Sequence, residues 1–216
     1  MKCTKKVLDS GDTKEEFILP NGIKGEFYLA SHTYIIEGEE VPSITTLISQ
    51  VYGDSYASVN PTLLQRSAAY GTKVHDELSN LIELRKISPD IPLVSELQEV
   101  NNYFKIIEPV YKVEPVLSEQ IVVLYDDNNK PVAAGRFDLM CQVKGKLTLS
   151  DFKTTSQIHK KLVTAQLNLY LKAAYQSGYI ENMDLDLTVI HLSGSQSKMV
   201  PIMKLKDEFF TKFINR

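Results

Sequence analysis

"AAGRFDLMCQVKGKLTLSDFKTTS", residues 133–156, reads as two apolar strands joined at Lys144-Gly145. Each strand carries an aspartate, Asp138 or Asp151, where a core sheet normally takes an aliphatic side chain. With Lys144-Gly145 as a two-residue turn, Val143 faces Lys146, and counting back along both strands sets Asp138 opposite Asp151. Cross-strand neighbours have Cβ atoms about 4.5–5.5 Å apart, and like charges at that separation are destabilising. A divalent cation removes the penalty, because hard ions such as Mg²⁺ take one or two carboxylates and leave other positions to water and phosphate. The period of two also puts Lys153 on the face of Asp151 and turns Phe152 into the core. Two acids and a lysine are therefore expected at one site, a grouping suited to phosphodiester hydrolysis. The plainer alternative is a surface salt bridge between Lys153 and either aspartate, which contributes little. Asp-x-Lys alone is too short a match to decide between them.

The rest of the chain bounds the choice. At 216 residues with 43% hydrophobic content it can bury one substantial core, and one domain is expected over 1–216. A formal net charge of -3 excludes nucleic-acid binding through overall positive charge, so any polyanion site must be a local basic groove. Cys3 and Cys141 are far apart, which gives no thiolate set for zinc or for an iron–sulfur cluster. The opening "MKCTKKVLDSGDTKEEF" has no apolar run behind its basic residues, so no secretory signal is expected. No window approaches the roughly 20 apolar residues of a membrane span. The expectation is a soluble, cytoplasmic protein with two free thiols.

Upstream of the hairpin, Pro20-Asn21-Gly22 between apolar runs marks a β-turn, and Gly38-Glu39-Glu40 marks a second, making 1–40 a β-hairpin region. Ser43 is a fitting N-cap for "ITTLISQVY". In 61–86 the apolar residues Leu63, Leu64, Ala68, Val74, Leu78, Leu81 and Ile82 recur at helical spacing, as one amphipathic helix or as two interrupted at Gly71. A further helix is expected over 95–107, closed by Pro109, so 42–110 reads as helical. Strands follow at 113–125, 131–143 and 146–155, then a helix over 160–177 stopped by Gly178, a strand in "DLDLTVIHLS" and a short tail helix.

The motifs in this order resemble the PD-(D/E)XK nuclease superfamily, specifically its RecB-like branch. "GRFD" matches the Gly-x-x-Asp that precedes a hairpin to Asp-x-Lys, here "DFKT"; "QLNLY" matches the following Gln-x-x-x-Tyr; "GTKVHDEL" matches the upstream histidine helix. The likeness covers roughly residues 32–175. Within it, "HTYIIEGEEVPSITTLISQV" is similar to a segment of the mitochondrial genome maintenance exonuclease family and its bacteriophage relatives. The resemblance implies an α/β fold with a restriction-endonuclease-like core over 113–216: a central mixed sheet of about four or five strands flanked by helices. It implies a Mg²⁺- or Mn²⁺-dependent exonuclease without an iron–sulfur cluster, acting on DNA with single-stranded or free ends beside phage or host recombination and replication proteins. Asp138 and Asp151 would be metal ligands with the Phe152 carbonyl, and Lys153 would orient or deprotonate water. His75 and Glu119 would join the metal site. Gln166 and Tyr170 share a helix face and would line the site.

Arg136, Lys73 and Lys160, with Arg66, Lys161 and Lys172, lie in or beside these motifs and would supply the basic groove. Tyr52, Tyr56 and Tyr70 would stack on unpaired bases. Competing expectations are a ring-forming duplex exonuclease of the lambda type, a catalytically inactive relative that binds DNA or protein, and a restriction endonuclease. The last would need recognition elements for which the chain has little spare length.

Overall fold

Alternating apolar residues in the first forty positions build more than one hairpin. The computed structural model describes residues 2–8, 11–53 and 60–214. In it β1 (Lys2–Val7), β2 (Thr13–Ile18), β3 (Lys24–Tyr28), β4 (Thr33–Ile36) and β5 (Glu39–Val41) form an antiparallel sheet in chain order. The turn expected at Pro20-Asn21-Gly22 joins β2 to β3. The second turn falls one residue earlier than its sequence signal, at Glu37 and Gly38, both with positive φ, and Glu39 and Glu40 already belong to β5. Phe17, Phe27, Tyr34, Ile36 and Val41 are buried with Ile121, Val123 and Ala134 of the second sheet, so the two sheets share a hydrophobic cluster.

Helix α1 (Ile44–Tyr52) starts where Ser43 accepts from the Thr46 N–H at 3.0 Å, an N-cap that satisfies one orphan donor. Helix α2 (Pro61–Ile87) runs through Gly71 without a break. A helical glycine costs about 1 kcal/mol relative to alanine, which packing farther along offsets. That packing involves only Val74, Leu78 and Ile82; Leu63 and Leu64 are exposed, although their spacing read as core. Residues 61–73 thus project beyond the core. The next helix does not stop at Pro109. It comprises α3 (Gln98–Asn102), a π-turn (Tyr103–Ile107) and α4 (Glu108–Tyr111). The Glu108 N–H reaches back to the Tyr103 carbonyl, and this wider turn admits the proline ring and its missing donor.

The second sheet holds β6 (Val113–Tyr125), β7 (Pro131–Val143), β8 (Lys146–Lys153), β9 (Asp186–His191) and β10 (Lys198–Ile202), in spatial order β10-β9-β8-β7-β6. Only β8 and β9 run parallel, and helix α5 (Lys160–Gln176) makes the crossover between them. β10 carries no alternation that marks it in sequence; Pro201 interrupts it, as an edge strand tolerates. Helix α6 (Asp207–Ile214) closes the described chain. One face of the sheet packs on α1, α5 and α6, the other on α2 and α3. The architecture is therefore α/β, a mixed five-stranded sheet between helical layers, with the antiparallel N-terminal sheet added at one end. Among the described residues no helix is long and apolar enough to cross a membrane.

Candidate metal centre

Lys144 and Gly145, both with positive φ, form the two-residue turn between β7 and β8. Pairing runs from Val143–Lys146 to Leu139–Ser150, which leaves Asp138 and Asp151 next in register. The ladder ends there: Asp138 Oδ2 accepts from the Phe152 N–H at 2.6 Å, a charge-assisted bond. In an extended residue the N–H and C=O leave the strand on the same side, so the Phe152 carbonyl also faces Asp138. The Phe152 ring points the other way, into the cluster under α2.

A third acid joins this row. The pairs Ser118–Leu139 and Gln120–Phe137 bracket Glu119 opposite Asp138. At this point both strands change phase. Phe137 and Met140 lie in one cluster although strict alternation would separate them, and so do Leu117 and Val122. The slip is absorbed at Glu119, whose φ of 50° is left-handed and costs a side-chain-bearing residue roughly 1–2 kcal/mol. Strain of this kind persists where surrounding structure over-determines it, commonly at functional sites.

From α2, His75 places Nδ1 3.5 Å from Asp138 Oδ1, its ring edge-on to Phe152. One ligand atom from each of His75, Glu119 and Asp138 lies within 4.8 Å of the others. Asp151 is 2% exposed, and its Oδ2 sits 2.7 Å from Lys153 Nζ. The ammonium is therefore the partner of this buried oxygen. Lys153 also donates to Gln166 Oε1 at 3.4 Å. Tyr170 stands one helical turn on along the same helix, close enough to interact with Gln166. Gly135 explains the glycine of "GRFD": a Cβ there would stand 2.7 Å from Tyr170 Cε1.

The ionisation of these groups is mutually set. Burial works against a charged His75, but the Asp138 carboxylate outweighs it and raises the imidazole to about 9. Asp138, despite its own burial, is held below the usual carboxylate range by His75 and Lys153. Burial pushes Glu119 up to about 8, with Asp138 adding to the rise. Burial likewise lifts Asp151 to about 6 against the pull of Lys153. Without a metal, both shifts favour the protonated forms near neutral pH, a cationic His75 and a neutral Glu119. The donor set of one imidazole and two carboxylates within 4.8 Å, with the Phe152 carbonyl facing Asp138, fits a hard or borderline divalent ion.

A groove of about 820 Å³ opens onto this site between the projecting end of α2 and residues 152–159. Arg66 and Tyr70 line it, with Tyr70 hydrogen-bonded to Glu99 at 2.5 Å. Other expected contacts lie elsewhere. Arg136 is ion-paired with Glu15, a buried side chain of β2, because β7 passes beneath the N-terminal sheet at this position. Tyr170 is 5% exposed and supports Gln166 from below, so it is no surface for a substrate. Lys73 and Lys160 are exposed and line neither the groove nor the adjoining pocket. Lys161 lies over the Tyr52 ring and Lys172 over Phe210, as cation–π partners. Tyr56 is outside the described residues. The sequence reading missed the groove walls Leu63, Leu64 and Thr154 to Gln157, since exposed apolar residues on an overhanging helix carry the same periodicity as buried ones.

Fold and site together define an α/β protein with an acid–histidine cluster and an adjacent lysine spanning strands β6 to β8 of its mixed sheet. Neither a family model nor a curated protein matches the sequence. A solved structure described as SSO0001 aligns with 79% of this chain and 70% of its own at a TM-score of 0.40 and 13% identity, a likeness too loose to bear on fold or function.

Proposed function

We propose that the protein is a metal-dependent DNA exonuclease of the RecB-like kind, hydrolysing phosphodiester bonds at single-stranded ends or flaps. The observation that carries this reading is the cluster of His75, Glu119 and Asp138, with the Asp151–Lys153 pair on the neighbouring strand and a groove of about 820 Å³ lined by His75 and Lys153. His75, Glu119, Asp138, Asp151 and the Phe152 carbonyl would hold Mg²⁺ or Mn²⁺. Such an ion supplies charge stabilisation for the phosphate and a more acidic water. Lys153, kept in place by Asp151 and Gln166, offsets negative charge developing on the phosphate and orients the attacking water. Tyr170 and Gly135 act through Gln166 by fixing where the lysine points. Arg66 offers a cation to the strand's backbone along the groove. The setting that suits this chemistry is the cytoplasm of a bacterial or phage-infected cell, alongside replication or recombination proteins.

The test is a comparison of labelled single strands, duplexes, flaps and closed circles incubated with Mg²⁺ or Mn²⁺. Substrates with free ends should be consumed and closed circles spared. Failure to cut any of them with either ion refutes the reading.

A further inference from the structure

Two spaces of very different size meet at Lys153. The groove described above holds about 820 Å³, whereas a second pocket between α1, the start of α5 and residues 155–159 holds about 230 Å³. The two share Lys153, Thr155 and His159 in their linings, so they adjoin at the lysine. Ile48, Ile158, Leu162 and Val163 wall the small pocket, and Thr45 and Ser49 bring hydroxyls to it. Gln166, which receives Lys153, forms part of its boundary. Among the described residues that line it there is no carboxylate.

These properties match one nucleoside and exclude more. Aliphatic walls suit the faces of a base, and hydroxyls, being both donors and acceptors, accept the edge of any of the four. A strand lying in the groove with a phosphate at Lys153 has room beyond that phosphate for a single residue. We propose that this pocket receives the terminal nucleoside of the strand, so that each hydrolysis releases one mononucleotide. The inference rests on the nuclease reading of the site and adds to it the register of cutting. In the step, a water oxygen bonds to phosphorus and gives up a proton to solvent, the bond from phosphorus to one sugar oxygen breaks, and that oxygen takes a proton from solvent as the nucleotide leaves.

Ser49 and Thr45 are exposed on α1, so Ser49→Phe, with Thr45→Phe as a second variant, fills the pocket from a helix surface without entering the core. Thymidine 5′-monophosphate is titrated into each protein in Mg²⁺, and single strands labelled at either end are digested in parallel. The wild type should bind the monophosphate and release mononucleotides. Both variants should lose monophosphate affinity and mononucleotide release by about tenfold or more, with unchanged Mg²⁺ binding and melting temperature. Equal monophosphate binding in wild type and variants, no binding by the wild type, or oligonucleotides as its first products would each overturn the pocket assignment. A wild type that binds the monophosphate in this pocket yet cuts no strand would leave the pocket standing and overturn the nuclease reading instead.

Discussion

Replacing Glu119 by glutamine should stabilise the metal-free protein, by an amount that depends on pH. The folded carboxyl titrates at about 8 because it is desolvated beside Asp138, whereas the same group in an unfolded chain titrates at about 4.3. The folded state therefore holds its proton more tightly, and the stability tied to that proton falls as pH rises from the unfolded value through the folded one. At pH 7 the unfolded chain gains about 4 kcal/mol by ionising this side chain, at about 1.36 kcal/mol per pH unit above its unfolded value, while the folded state gains almost nothing. Solvent still reaches Glu119 in part, and halving the figure for screening leaves roughly 2 kcal/mol at pH 7 and roughly 0.5 kcal/mol at pH 5. For a chain of this length those values correspond to melting temperatures higher by about 4–8 °C and about 1–2 °C. Thermal unfolding of both proteins in chelator, monitored by circular dichroism between pH 5 and 8, measures the gap directly. A glutamine variant that melts below the wild type at pH 7, or a gap that does not widen with pH, refutes the picture of a protonated, buried Glu119. In Mg²⁺ the ranking should invert, since the variant lacks one ligand.

The same protons make metal uptake pH-dependent. Mg²⁺ or Mn²⁺ binding should release protons from His75 and Glu119 near neutrality and strengthen as pH rises, a release that calorimetry in buffers of different ionisation enthalpy can count. Lys153→Ala and Asp151→Asn should each abolish hydrolysis of labelled strands while leaving the circular dichroism spectrum intact; retained cutting by either removes it from the proposed roles. Gly135→Ala forces a methyl group to within 2.7 Å of Tyr170 Cε1, and overpacking of this kind costs about 1–3 kcal/mol in a denaturant titration. Tyr170→Leu in the same chain should recover part of that loss. Arg136→Ala leaves the buried Glu15 with Lys5 as its remaining cation. It should lower stability by about 1.5–3 kcal/mol, the range for a lost charge-assisted hydrogen bond with Lys5 still neutralising Glu15, and leave the salt dependence of DNA binding unchanged. An altered salt slope would return Arg136 to the DNA interface.

Much of the candidate site was legible because strand geometry is regular. A two-residue turn fixes a register, a register fixes which side chains face one another, and so the proximity of Asp138, Asp151 and Lys153 follows from counting residues. Gln166 and Tyr170 were legible as one helix face for the same reason, with the choice between a substrate surface and a buried support decided by packing, which leaves the tyrosine 5% exposed. Local rules also gave the Ser43 cap and the Gly178 stop. What only the tertiary structure decided depends on what lies across from a residue, which no local pattern encodes. The N-terminal sheet claims Arg136 through Glu15, the overhang of α2 turns Leu63 and Leu64 from core into groove, and the phase slip at Glu119 brings a third carboxylate to His75 and Asp138. Spacing sets the direction a side chain leaves its own element; the neighbour it meets, and hence whether it is buried, charged or exposed, is settled only when distant segments pack together.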